Sequence, residues 1–314
     1  MRTLHNKTLN SYNNRKIDKY SKNETIASWL MISPMVLGFL VFTLYPMLWV
    51  YRYAFCDYDG VRTVFCGLDN FIRVFTRDVR YWKSLINTFI IAYGKLLIEF
   101  PLALGLAVAL NNKFRGSIFY RVTFYLPAVI STAVAGLVFC FLFSSYNGMV
   151  NNILSMLKLI SAPVNWFGSK WTAMTVLIVS SIWLGYGQNM LFFLAGLQGI
   201  PDDLYEAADI DGANSWSKFW RITMPMLMPV FRVVLMMAIV YGMKIMDSVL
   251  VITNGAPADE TDVAMLYIYR FFFDTNGAAK QWGYASSLGV VTSLIICFAT
   301  LLYLRVSDKS AKID

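Results

Sequence analysis

The chain has 314 residues, 57% hydrophobic and only 15% charged, with a formal net charge of +8, four cysteines and a single histidine, His5. That composition excludes intrinsic disorder and a disulfide-stapled miniprotein, and it removes most histidine-based catalysis and metal binding. In so apolar a chain the Lys and Arg residues flank membrane spans rather than bind nucleic acid, so the fold class is all-α and polytopic.

Residues 1–24 read as a polar tail. Six runs of spanning length follow, at 25–51, 84–110, 122–143, 172–197, 233–252 and 284–304, each near the ~20 residues that a bilayer requires. The six-span domain covers 25–305, and a second polar tail covers 306–314. An even number of spans puts both ends on one side. Basic residues number fourteen on that side and ten on the other, so the termini are expected on the cytoplasmic side. The short, acid-free loop Asn111–Arg121 carries three of the fourteen and agrees. Cys56 and Cys66 fall in an expected external loop, where two unconnected thiols are slightly preferred to a disulfide.

Residues within the spans raise further expectations. Lys95 and Glu99 lie one helical turn apart in the second run, a spacing that suits a structural ion pair. Gln188 and Asn189 in the fourth run are candidates to line a pathway. In the fifth run, Tyr241, Lys244 and Ser248 share one helical face, with Asp247 beside it.

The stretch between the fourth and fifth runs does not read as a simple connector. Pro201-Asp202-Asp203 starts a short helix, Gly212 stops it, and Asn214 or Ser215 caps a second helix carrying Trp216, Phe219 and Trp220, which Pro225 and Pro229 are expected to close. Five acids between Asp202 and Asp211 argue against a hairpin lying on anionic lipid. They favour docking to a soluble partner.

Glu206-Ala207-Ala208, three residues, Gly212, nine residues and Ile222-x-Met224-Pro225 resemble the EAA loop of binding-protein-dependent ABC importer permeases, with Met224 where the family has Leu. The likeness continues in Asn87-Thr88, Leu104-Gly105-Leu106-Ala107, Phe114-Arg115-Gly116 and Leu126-Pro127. It also includes Asp247, Thr253-Asn254-Gly255-Ala256-Pro257 and Thr261, where Ala256 replaces a glycine; together these cover about 28–305 and are closest to the carbohydrate type. The resemblance implies a pore shared with a second six-span subunit, two cytoplasmic ATPase subunits that bind the ATP, and an extracytoplasmic binding protein that delivers a sugar. It implies that the hairpin at 201–229 couples to the ATPase through Glu206, Ala207, Ala208 and Gly212, with Trp216 and Phe219 as apolar anchors. It also places the substrate pathway partly at Tyr241, Lys244 and Ser248. No Walker A loop, catalytic triad, dinucleotide fingerprint or metal motif is present, so neither an enzyme nor a cofactor of its own is expected. A permease for a phosphorylated polyol or anionic sugar is the first alternative. A secondary transporter without an ATPase is the second, and a membrane-embedded enzyme the third.

Overall fold

The computed structural model describes residues 24–112, 115–273 and 280–311; nearly all of the N-terminal tail, Lys113 and Phe114 of the basic loop, residues 274–279 and the last three residues lie outside them. Helix α1 (Glu24–Tyr53) leads into a small antiparallel hairpin, β1 (Cys56–Tyr58) with β2 (Thr63–Phe65). Then come α2 (Asp69–Thr76), α3 (Val79–Asn111), α4 (Ser117–Val129), α5 (Thr132–Leu142), α6 (Met149–Met156), α7 (Lys170–Leu197) and α8 (Asp203–Ile210). The chain continues as α9 (Ser215–Met243), α10 (Asp247–Ile252), α11 (Ala264–Phe273) and α12 (Trp282–Ala311). Helices α1, α3, α7, α9 and α12 are long and apolar enough to cross a membrane; α4 and α5, bent by 92° at a short break, are together long and apolar enough for a sixth crossing if the bent pair is one span and not a re-entrant loop.

That bend corrects the expectation of a continuous third span. Pro127 withholds an N–H from α4, and Ile130 and Ser131 then adopt extended backbone with ψ of 136° and 133°. Opposite this region Gly187 lets α7 come directly against the α4 backbone, since a Cβ there would lie 2.3 Å from the Phe124 carbonyl oxygen.

Two other prolines act differently. Pro46 in α1 and Pro225 in α9 are each preceded by one π-helical turn, Leu40–Leu44 and Phe219–Thr223. A wider turn relieves the clash of the proline ring with the carbonyl four residues back and absorbs the missing N–H, so the helix continues. The expectation that Pro225 and Pro229 close the second hairpin helix is therefore wrong. That helix and the fifth span are one element, Ser215–Met243.

The bundle is organised on α3 and α7, which make the most extensive helix pair. Phe100, Met190, Phe193, Leu227 and Val234 knit α3, α7 and α9 into one apolar core. A second core joins Ile91, Phe139, Leu177 and Val249. A third packs α2, α11 and α12 around Val74, Tyr81, Tyr267 and Leu288. Asp78 caps α3 by accepting the Tyr81 N–H at 2.9 Å and also accepts the hydroxyls of Tyr267 and Tyr284, which ties the third core together.

The cysteines of the hairpin are free. Cys56 pairs with Phe65 across the ladder, so the next residue, Cys66, presents its side chain to the opposite face. The register separates the two thiols.

Candidate functional site

The hairpin between α7 and α9 is built from local chemistry. Helix α8 ends in a left-handed turn at Gly212, φ +73°. The Gly212 N–H donates to the Asp209 carbonyl at 3.1 Å, and the Ala213 N–H to the Ala208 carbonyl at 2.9 Å. This paired closure satisfies the terminal carbonyls of α8 and requires a residue that tolerates positive φ. A Cβ at Gly212 would meet nothing within 4 Å, so conformation rather than space selects glycine within this chain. Asn214 then starts α9 by accepting the Ser217 N–H at 2.8 Å.

Two long-side-chain braces that the sequence reading missed hold α8 against α9. Tyr205 hydroxyl and Thr223 Oγ1 lie 2.9 Å apart, and Lys218 Nζ donates to Asp209 Oδ1 at 2.7 Å. Thr223 sits inside the π-turn, so the wide turn is what brings its hydroxyl to the hairpin. Glu206 and Ala207 are exposed, Ala208 is half-buried, and the Glu206 side chain makes no hydrogen bond or ion pair among the described residues. Asp209 of α8 is thus paired to α9, while Asp203 and Glu206 are exposed.

The aromatic residues occupy a different place from these exposed acids of α8. Trp216, Phe219 and Trp220 pack on one another with ring centroids 5.2–6.3 Å apart. They line an apolar groove of about 430 Å³ with Phe100, Pro101 and Leu104 of α3.

The fifth span does not run to Ile252. Helix α9 stops at Met243, and Lys244–Met246 form a break before α10. Lys244 has φ −99° and ψ 10°, outside helix, so the expected single face for Tyr241, Lys244 and Ser248 does not exist. Tyr241 is 69% exposed, Lys244 and Asp247 are exposed, and Ser248 is buried. Among the described residues the Lys244 side chain makes no hydrogen bond or ion pair, while its backbone N–H donates to the Tyr241 carbonyl at 3.1 Å. Gly242, one residue before the end of α9, packs on α3, where a Cβ would lie 3.0 Å from that of Ala92.

Lys95 and Glu99 do meet. Lys95 Nζ is 3.3 Å from Glu99 Oε2, and Glu99 is fully buried. Asn189 Nδ2 donates to Glu99 Oε1 at 2.6 Å, which commits this residue to the ion pair instead of to an open pathway. Gly185 makes room for the cluster, because a Cβ there would sit 2.5 Å from Glu99 Oε1. Gln188, one residue before Asn189, is exposed.

At the N-terminal end of α3 a second polar cluster forms from residues far apart in sequence. Asp262, 1% exposed, accepts from Arg80 at 2.7 Å and from Arg270 at 2.8 Å. Asp259 lies 2.8 Å from Arg80 and 3.2 Å from Arg270. Burial pushes the Asp262 carboxyl above the usual carboxylate range, opposed by the Arg80 hydrogen bond and the charges of both guanidiniums. The loop that carries the two acids holds Asn254, Ala258 and Asp259 at φ of 45°, 47° and 62°. Such backbone persists only where surrounding contacts enforce it. The T-x-G-G-P-like stretch was visible in the sequence, but its arginine partners were not.

The model of the family described as "Binding-protein-dependent transport system inner membrane component" matches residues 101–312. The probable ABC transporter permease protein YesP of Bacillus subtilis (strain 168) is 33% identical over 304 residues, 96% of each chain. The arabinooligosaccharides transport system permease protein AraP of the same organism is 35% identical over 293 residues, covering 92% of this chain and 90% of that one. The crystal structure of a bacterial ABC transporter involved in the import of the acidic polysaccharide alginate contains a similar chain at a TM-score of 0.78 and 24% identity. The match covers 90% of this chain and 94% of that one and establishes a shared fold. The chain belongs to the family of binding-protein-dependent transport system inner membrane components and is a membrane-embedded transport component, not an enzyme.

Proposed function

We propose that this chain is the permease subunit of an ATP-driven importer for a neutral sugar or oligosaccharide. In this reading it forms half of a pore with a second six-span subunit, and two ATPase subunits bind at the cytoplasmic face. A binding protein delivers the sugar from outside. The basic-residue asymmetry supports an orientation with both termini, α8 and the Gly212 turn on the cytoplasmic side of a bacterial inner membrane.

The observation that carries the reading is the hairpin. A short acidic helix is fixed to α9 by two braces, one of them the Lys218–Asp209 ion pair, and Glu206 on it stays exposed. That is the form of a docking knob, not of a loop returning between spans. Glu206, Ala207, Ala208 and Gly212 are the coupling residues, and Trp216 and Phe219 anchor the hairpin to α3 along their apolar groove. The break at Lys244–Met246 supports a pathway role for Tyr241 and Lys244. Helix interruptions at membrane depth free backbone polar groups and are tolerated where they are buried in protein or line a cavity. In the same reading Ser248, buried on α10, and the exposed Gln188 on α7 belong to the pathway, while Asn189 braces Glu99. A sugar is favoured because relatives at this level of identity include a permease named for arabinooligosaccharides.

Uptake of labelled arabino-, malto- and galacto-oligosaccharides by cells lacking this chain is the test. Loss of at least one, restored by the wild-type chain, is expected. Unchanged uptake of every neutral sugar together with loss of a phosphorylated or anionic solute overturns the substrate assignment.

A further inference from the structure

The cluster around Asp262 borders a cavity of about 620 Å³ lined by Arg80, Asn254, Asp259, Tyr269, Arg270 and Phe273. That volume lies in the range of small-ligand sites, about 300–1,000 Å³. Its polar groups are fixed in advance. Asp262 and Asp259 hold both guanidiniums, and Arg270 Nη2 also donates to the Asn254 carbonyl at 2.7 Å. Arg80 and Asp259 nevertheless remain 45% and 46% exposed, so each keeps a face for a ligand. A site whose side chains are already ordered loses little entropy on binding. One wall is aromatic. Tyr269 and Phe273, one turn apart on α11, have ring centroids 4.8 Å apart and tilted by 31°, and Phe273 is 66% exposed.

We propose that this cavity is a saccharide-receiving subsite on the external face of the permease, separate from the Lys244 region and one short helix away from it. Two arginines and two aspartates leave the cluster without net charge, so a polyanion gains no net attraction there. A neutral sugar finds what its chemistry needs: guanidinium donors and a carboxylate acceptor side by side for vicinal hydroxyls, and exposed rings for its apolar C–H face. The position also suits a relay. Helix α10 starts after the break at Lys244–Met246 and ends two residues before Asn254. Its six residues span only about 9 Å at 1.5 Å per residue. A sugar leaving a binding protein would meet this cavity before the break.

The inference rests on the sugar-importer reading and on its orientation, and the test separates the two. The complete transporter in lipid nanodiscs, without its binding protein, is titrated with arabinotriose, maltotriose and a galacturonate trimer, and contact is read by saturation-transfer NMR. At least one neutral trisaccharide is expected to bind. Replacing both rings, Tyr269→Ala with Phe273→Ala, is expected to weaken that binding about tenfold. If the double variant does not assemble, Phe273→Ala alone serves, because that ring is largely exposed; it should weaken binding severalfold. Absence of binding by any neutral trisaccharide, binding indifferent to ring removal, or tighter binding of the acidic trimer each overturns the subsite. Cellular uptake of the neutral sugars by the wild-type chain is measured in parallel. If uptake is intact while the cavity does not bind, the subsite alone fails; if uptake is also absent, the importer reading fails.

Discussion

Gly212 separates two reasons for a glycine in a coupling hairpin. Within this chain its only requirement is the positive φ of +73°, because a Cβ would point into open space. A residue with a Cβ in the left-handed region costs about 1–2 kcal/mol, less for Asn and Asp and more for a β-branched side chain. That energy acts on the paired closure of α8, and through a local equilibrium it corresponds to roughly 5–30-fold less of the correctly turned hairpin. If conformation is the whole requirement, Gly212→Asn is mild, Gly212→Ala intermediate and Gly212→Val severe. If the ATPase packs directly on this turn, every side chain is excluded and the three variants fail together. The assay is co-purification of the ATPase subunits with the membrane complex, alongside sugar-stimulated ATP hydrolysis, with the yield of inserted chain as control. The graded order is expected. Three variants that bind and couple like wild type would refute the turn's role altogether. By the same logic Glu206→Ala, which removes an exposed side chain with no side-chain partner among the described residues, should leave folded yield unchanged and alter only the complex with the ATPase.

Neutralising one member of the intramembrane pair, by Lys95→Met or Glu99→Gln, should cut the folded yield sharply. An uncompensated buried charge costs about 3–5 kcal/mol, and the double variant should recover much of the loss. Normal yield in all three variants, with only transport reduced, would make these pathway residues. Lys244→Met should lower uptake of the transported sugar without reducing assembly, since among the described residues the lysine supports no other side chain. Unchanged uptake would remove Lys244 from the pathway.

What could be read in advance divides by the range of the interaction. The hairpin was legible because its determinants are local: the turn glycine, the Asn214 cap and the acidic run fall within about a dozen residues. The spans were legible by length and hydropathy. The break at Lys244 was not, because no proline marks it. The helix ends where Gly242 packs against Ala92 of α3 and α10 docks on α5, a tertiary cause without a local signature. Pro225 misled in the other direction, since a π-turn absorbs it. The Arg80–Asp262 contact joins residues 182 positions apart, beyond any periodicity or spacing argument. The 92° bend lay between. Pro127 was in plain view, but the extended Ile130–Ser131 step that turns a kink into a corner carries no local signature of its own.

The corrected course of α9 changes how coupling would work. A hairpin helix closed by Pro225 would have been a separate piece, joined to the fifth span by a flexible link that dissipates motion. As one helix from Ser215 to Met243, 29 residues and about 44 Å long, it is a lever. One end carries the α8 braces at Lys218 and Thr223, and the other ends at Lys244. A displacement of α8 therefore arrives at the break as movement of the same rigid element, and the break is where the lever can turn without dragging α10. The lever should consequently be sensitive to softening at positions that touch neither end. Val233 and Met237 are 49% and 42% exposed on one face of α9 and belong to neither the coupling nor the pathway residues. Glycine at both costs about 1 kcal/mol each relative to alanine and loosens the helix between its two ends. Val233→Gly with Met237→Gly should keep the ATPase bound and basal hydrolysis intact while reducing sugar-stimulated hydrolysis and uptake together; the matching double alanine variant should behave like wild type. Full stimulation in the glycine variant would show that α9 need not be rigid, and coupling would then have to pass through the Phe100–Phe193–Leu227 core between α3, α7 and α9.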